Sequence, residues 1–344
     1  MVNYSVDLCH EQVMETRKPL LAFDEHSDYR TWREQVRARL VEALGDMPKK
    51  TDDNLRIEWE KDQGSFVEYR FHFTAETLVE VPCHLWVPKD VKKPCPVVIC
   101  LQGHSTGMHI SMGRSVYAGD ENLILGGDRD FAIQIVREGY AALVIEQRGF
   151  GERKSPAELR FRPDADCTCA HPAMSALLMG RTLLGERVWD ISRAIDVLGK
   201  FPMLDTERIA LMGNSGGGTA TYYAACMEER IKIAMPSCSV CSYKRSITAR
   251  RHCPCNYLPG IAKYVDMGEL ACLIAPRKLI LVAGEQDSGF TIDGVHEVYE
   301  TIQKIYEKAG VPDQCQLVVG NEGHRFYADP SWEVFRKLSG WEEN

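Results

Sequence analysis

Six short apolar runs, separated by stretches of helix length, do most to limit the folds open to this chain. Val97-Val98-Ile99-Cys100-Leu101 is the first and Ala141-Ala142-Leu143-Val144-Ile145 the second. Arg208-Ile209-Ala210-Leu211-Met212, Ile231-Lys232-Ile233-Ala234-Met235, Leu279-Ile280-Leu281-Val282-Ala283 and Gln316-Leu317-Val318-Val319 follow. Each falls far short of the roughly 20 apolar residues of a membrane helix. Continuous runs of this length read as strands buried on both faces, as in a parallel sheet covered by helices. The intervening residues 131–138, 186–198, 217–226 and 294–309 carry helical patterning. The alternation predicts an α/β class with a mostly parallel, doubly wound sheet and helices on both faces.

The pattern differs ahead of residue 96. Leu55-Arg56-Ile57-Glu58-Trp59 and Val67-Glu68-Tyr69-Arg70-Phe71-His72-Phe73 alternate, and His84-Leu85-Trp86-Val87-Pro88 closes the set. These predict antiparallel N-terminal strands. Still earlier, Ser27 or Asp28 can cap a helix over 29–44, with Trp32, Val36, Leu40 and Leu44 on one face and Gly45 as its stop. A length of 344 residues admits two domains at roughly 150 residues each. No internal repeat or low-complexity linker divides the chain. The expectation is a helical N-terminal extension at 1–53 and one large domain at 54–344. Long excursions at 150–182 and 236–275 then shape the pocket.

The strongest local signal is Gly213-Asn214-Ser215-Gly216-Gly217, placed between an apolar strand and a small-residue helix. A serine there needs a turn so sharp that its backbone is strained, and the flanking glycines leave room for it. The hydroxyl then stands above the C-terminal edge of the sheet, beside the free amides of a helix N-terminus. Two competing readings are a glycine-rich turn with an incidental serine and a phosphate-binding loop. The second requires a lysine after the glycines, and Gly218-Thr219-Ala220 has none.

A nucleophilic serine needs a base and an orienting acid, in the chain order Ser, Asp/Glu, His for such an elbow. The run 279–283 ends in Gly284-Glu285-Gln286-Asp287, and the run 316–319 ends in Gly320-Asn321-Glu322-Gly323-His324. Both lie just past strand ends, where open α/β sheets bind ligands. Asp287 is the candidate acid, with Glu285 and Asp293 as rivals. His324 is the candidate base, with His104 and His252 as rivals. The oxyanion donors expected are the backbone N–H groups of Gly216 and of His104, the latter in the loop Gln102-Gly103-His104-Ser105.

These residues resemble the α/β-hydrolase superfamily. Within it the chain is similar to the acetyl xylan esterase and cephalosporin-C deacetylase group, related to dienelactone hydrolases, over roughly residues 80–340. Supporting stretches are Leu101-Gln102-Gly103-His104, Gln147-Arg148-Gly149-Phe150-Gly151-Glu152 and Gly185-Glu186-Arg187-Val188-Trp189-Asp190. There are departures. Gln102-Gly103 replaces the His-Gly common in those esterases, and Ser215 stands where dienelactone hydrolases carry cysteine. The resemblance implies a serine esterase acting on small esters, such as acetylated saccharides, through an acyl-enzyme and without a cofactor. Gln102, Arg148, Arg250, Arg251 and Tyr257 are candidate substrate contacts, since a guanidinium fork matches carboxylates. A prolyl-oligopeptidase-like serine peptidase and a non-catalytic binding module are the alternatives. The first usually carries a propeller, for which the residues ahead of the first parallel strand are too few.

Composition bears on partners. Lys plus Arg total 41 against 49 Asp plus Glu, for a net charge of −8. That balance argues against nucleic acid as a partner. The opening residues lack an apolar core segment and include Asp7, Glu11 and Glu15, unlike a signal peptide. With 13 cysteines, an odd number, reduced thiols in a cytoplasm are the expectation, with no membrane association. Cys238, Cys241, Cys253 and Cys255 with His252 have an apparent metal spacing, but Cys-x-Cys matches zinc spacing poorly. Cys167-Thr168-Cys169 near His171 is discounted in the same way. No metal is expected there, and the segment reads as loop packing. A homo-oligomer would find Trp, Tyr and Met contacts in the N-terminal extension.

Overall fold

The computed structural model describes residues 4–341. Its strands are β1 (Arg56–Asp62), β2 (Phe66–Glu76), β3 (Val79–Pro88), β4 (Cys95–Leu101), β5 (Ala141–Ile145), β6 (Leu204–Asn214), β7 (Ile231–Ser237), β8 (Lys278–Gly284) and β9 (Cys315–Gly320). They form one sheet in the order β1-β2-β3-β5-β4-β6-β7-β8-β9. The first three strands and the β3–β5 junction are antiparallel. All pairings from β5 to β9 are parallel. The six apolar runs are the six parallel strands, and the fold class read from the sequence is the one observed.

Strand periodicity sorts the core. Side chains alternate across a sheet, so Val97, Ile99 and Leu101 of β4 face one way and Val98 and Cys100 the other. The first set packs in one cluster with Trp32, Val36 and Leu40 and with the helices Leu183–Leu198 and Gly216–Met227. The second packs with Phe131, Ile135, Trp332 and Phe335. The helix Tyr29–Leu44 therefore belongs to the same core as the sheet. Its start is set by Asp28, whose side chain accepts from the Thr31 amide at 2.8 Å, and Gly45 ends it at φ 82°. The helix Ala328–Ser339 was not expected from the sequence. Its Pro330 reads as a breaker but sits in the first turn, where proline is tolerated. Among the described residues no helix is long and apolar enough to cross a membrane.

The chain leaves β4 to form β5 on one side and later returns to form β6 on the other. Such a reversal opens a crevice beyond the C-terminal strand ends, where open α/β sheets bind their ligands. The loop after β4 is held there by a buried carboxyl. Glu146 follows β5, is 2% exposed, and accepts from the Met108 amide at 3.1 and 3.2 Å. A Cβ on Gly151 would overlap this carboxyl, so a side chain there would have to displace it.

Burial outweighs those amide bonds and raises the Glu146 carboxyl from its ordinary 4.5 to about 7. The folded protein thus holds a proton there that the unfolded chain releases. Stability conferred by this group is full below about pH 4.5 and is lost as pH rises to about 7. The loss at the upper end is about 3 kcal/mol. Glu146→Gln keeps an acceptor for the Met108 amide and removes the ionisation. The difference in unfolding free energy between variant and wild type, from urea titrations at pH 5 to 8, is expected to move in favour of the variant across that window. A difference that stays flat with pH would show that Glu146 ionises at its ordinary value.

Candidate active site

Ser215 joins β6 to the helix Gly216–Met227 at φ 56° and ψ −123°. That conformation lies outside the regions normally open to a side chain with a Cβ and costs about 1–3 kcal/mol. Its surroundings hold it there. The Ser215 amide donates to the Ser237 carbonyl at 2.8 Å, and the Thr219 amide donates to the Ser215 carbonyl at 2.8 Å. A Cβ on Gly213 would come within 2.6 Å of the Gly217 carbonyl group, and one on Gly217 would overlap the Leu101 carbonyl oxygen. The two outer glycines of the elbow therefore answer to packing between β4, β6 and the helix.

Asp287 lies three residues past β8 and is 3% exposed. Its Oδ2 is 2.7 Å from His324 Nδ1. Its Oδ1 accepts from the amides of Gly289 at 2.7 Å and Phe290 at 3.1 Å. Burial pushes this carboxyl up, but the His324 hydrogen bond and charge and the two amides outweigh it and hold it below its ordinary value. His324 follows β9, and the Phe290 ring stacks on it at 5.9 Å. The rival acids lie elsewhere: Glu285 and Asp293 are exposed and line no part of the cavity that contains Ser215.

That cavity, about 330 Å³, is lined by Ser215, Asp287 and His324 together with His104, His252 and Phe290. The loop after β4 packs directly on the serine. A Cβ on Gly103 would lie 2.8 Å from Ser215 Cβ, and one on Gly216 would lie 2.8 Å from the His104 ring. Gly216 opens its helix, where the first amides have no intrahelical carbonyl to bond. The arrangement brings a hydroxyl, an imidazole paired with a buried carboxylate, and the first amides of a helix to one cavity.

The five candidate substrate contacts divide. Arg250 and Arg251 line the cavity with Ser215. Tyr257 lies in an adjoining hollow that shares both arginines, and its hydroxyl donates to the Ile247 carbonyl at 3.0 Å. Gln102 is 2% exposed and donates inward to Ser111 Oγ at 2.7 Å and the Arg129 carbonyl at 2.8 Å. Arg148 is ion-paired with Glu76, Glu186 and Asp190 inside the fold. Neither Gln102 nor Arg148 lines the cavity. Sequence reasoning missed Phe290, although it stands only three residues past the candidate acid, and weighed His252 only as a rival base and a discounted metal ligand.

The cysteine grouping read from the sequence is rearranged. Cys238 lies next to Asp287 and His324, with its thiol donating to the Arg325 carbonyl at 3.2 Å. The Cys241 thiol points to the Thr291 carbonyl. Cys253 and Cys255 instead meet Cys169 and His104, and the four potential ligand atoms all lie within 4.8 Å of one another. Cys167-Thr168-Cys169 was discounted beside His171, and the spacing did not show that Cys169 joins the pair at 253–255.

Comparison with known proteins agrees with this architecture. A model described as an Abhydrolase family matches residues 4–330. The chain is 27% identical over 319 residues to "Putative hydrolase YtaP" of Bacillus subtilis (strain 168), covering 90% of this chain and 99% of that protein. Among solved structures, a "putative acetyl xylan esterase" from Bacteroides fragilis NCTC 9343 superposes with a TM-score of 0.72 at 16% identity, over 96% of this chain and 84% of that one. A glucuronoyl esterase from Solibacter usitatus gives 0.71 at 18% identity, over 94% and 97%. At these identities the structural matches speak to fold alone.

Proposed function

This chain belongs to the Abhydrolase family, and from that premise we propose that it is a serine esterase hydrolysing small carboxylic esters, with acetyl esters of saccharides as the favoured class. The observation that carries the reading is the strained Ser215 sharing one cavity with the Asp287–His324 pair. Ser215 Oγ attacks the ester carbonyl while His324 Nε2 takes its proton. Asp287 holds the other ring nitrogen and stabilises the imidazolium that forms. The oxyanion is met by the amides of Gly216 and His104, each such donor contributing about 2.7–4 kcal/mol to lowering the barrier. His324 returns the proton to the departing alcohol. Water, activated by the same imidazole, then releases the acid from the acyl-enzyme. No metal or organic cofactor enters these steps.

Two kinds of neighbour support the ester class, since a "putative acetyl xylan esterase" and a glucuronoyl esterase share the fold. The decisive test pairs a fluorophosphonate probe with 4-nitrophenyl acetate, butyrate and octanoate. Wild type is expected to be labelled and to prefer acetate, in keeping with the small cavity, and Ser215→Ala to escape labelling. Labelling that persists in the variant would move the nucleophile elsewhere.

Arg250 and Arg251 extend the proposal to the rest of the substrate. Two guanidinium groups at the rim of the cavity favour an ester that also bears a carboxylate. Arg250→Glu with Arg251→Glu is expected to raise KM for a 4-nitrophenyl hemisuccinate by roughly tenfold while changing that for 4-nitrophenyl acetate little. Equal changes for the two esters would remove the arginines from substrate selection.

A further inference from the structure

We propose that His104, Cys169, Cys253 and Cys255 bind a structural zinc ion that fastens both excursions to the loop beside Ser215. The first support is geometric. Zinc with three sulfur ligands at about 2.3 Å and one nitrogen at about 2.0 Å sets neighbouring ligand atoms about 3.5–3.8 Å apart. The four side chains come from three distant stretches of sequence, yet their ligand atoms all lie within 4.8 Å of one another. Cys255 Sγ is 3.3 Å from Cys253 Sγ and 3.2 Å from His104 Nε2. The sulfurs are therefore much further apart than the roughly 2.05 Å of a disulfide, and close enough to share one ion.

The second support is charge. Arg187 is 2% exposed, and its guanidinium donates to the Arg148 carbonyl at 2.6 and 3.2 Å and to Cys169 Sγ at 3.2 Å. Its outer face lies over the Phe150 ring at 4.6 Å. Among the described residues no carboxylate forms an ion pair with it. A buried cation needs a compensating anion. Three thiolates, a neutral imidazole and Zn²⁺ carry a net charge of −1, held against Arg187. Arg187 therefore calls for thiolate at Cys169, and the convergence of the four ligand atoms is what calls for an ion.

Four protein ligands close the coordination shell, which marks a structural rather than a catalytic ion. Its position gives it a definite task. His104 stands against Gly216, Cys169 belongs to the excursion at 150–182, and Cys253 and Cys255 to that at 236–275. One ion thus fixes the oxyanion loop and two walls of the cavity relative to each other. The assignment is independent of the esterase reading, since it concerns metal content and loop order.

The test uses the full chain, purified under reducing conditions without chelator. Elemental analysis is expected to find zinc near one equivalent, in wild type and in Ser215→Ala alike. Replacement by cobalt is expected to give near-ultraviolet thiolate-to-cobalt charge-transfer bands and the intense visible bands of a tetrahedral site. Cys169→Ser and Cys255→Ser are expected to lose both the zinc and these bands. Cys167→Ser, whose thiol is a neighbour outside the set, is expected to keep them. The cobalt spectrum of wild type stands even where a variant fails to fold. Wild type that holds less than about a tenth of an equivalent after zinc reconstitution would overturn the site, as would cobalt bands unaltered by Cys169→Ser. A Cys253–Cys255 disulfide in the freshly purified protein would do the same.

Discussion

Ser215→Ala is expected to lower kcat for 4-nitrophenyl acetate by about 10⁴-fold or more, with KM changed little. The hydroxyl is the only atom group removed, and alanine still has a Cβ to lie 2.8 Å from where a Gly103 side chain would begin. The substrate therefore meets the same cavity. What disappears is the covalent route, leaving the oxyanion donors and binding to accelerate attack by water. The variant should also be no less stable than wild type, because the backbone strain at φ 56° is unchanged. Initial rates with both proteins, corrected for the non-enzymatic reaction, settle the matter. Equal rates would send the search to a cysteine, and Cys238, beside Asp287 and His324, would come first.

Asp287→Asn should cost about 10⁴-fold in kcat near neutral pH, for a different reason. Oδ1 accepts two backbone amides, from Gly289 and Phe290, and Oδ2 faces His324 Nδ1. The asparagine carbonyl must stay with the two amides, since an NH₂ group there would meet donors with a donor. Its NH₂ then faces Nδ1, which has to act as acceptor. The ring proton is forced to Nε2, and the imidazole can no longer take the serine proton. Unfolding and fluorophosphonate labelling separate this from simple collapse of the loop. The variant should unfold close to wild type yet label far more slowly. A loss below tenfold would mean that another group fixes the tautomer.

The sheet was legible because buried strands leave a signal in every residue. Each of the six parallel strands contains a largely apolar run of four or five residues, and the antiparallel ones alternate. The elbow was legible for a related reason: Gly213 and Gly217 are dictated by contacts with β4 that exclude a Cβ. Asp287 and His324 could be picked out by their place just beyond strand ends. The rest of the cavity was not, because residues 236–275 run mostly through turns and short irregular helices. No period ties such a segment to a position in space. Arg148 shows the reverse error: it adjoins a motif of the family it resembles, but three carboxylates hold it in the interior. The thiols of Cys169 and Cys253 are 84 positions apart in the sequence, and spacing rules that look for neighbouring pairs cannot join them.

The division between the sheet and the two excursions has an evolutionary consequence. Ser215, Asp287 and His324 are each anchored at the end of a parallel strand, where a shift of backbone would disturb the sheet. Arg250, Arg251 and His252 stand on a segment between β7 and β8 that the sheet does not constrain. On the proposed reading, substitutions at Arg250, Arg251 and His252 can change which substrate is taken while the core residues of the same segment and Cys253 and Cys255 hold its course. A lineage built on this plan is expected to diversify at these rim positions and to conserve its reaction. Directed evolution toward new esters would do best to confine its libraries to Arg250, Arg251 and His252.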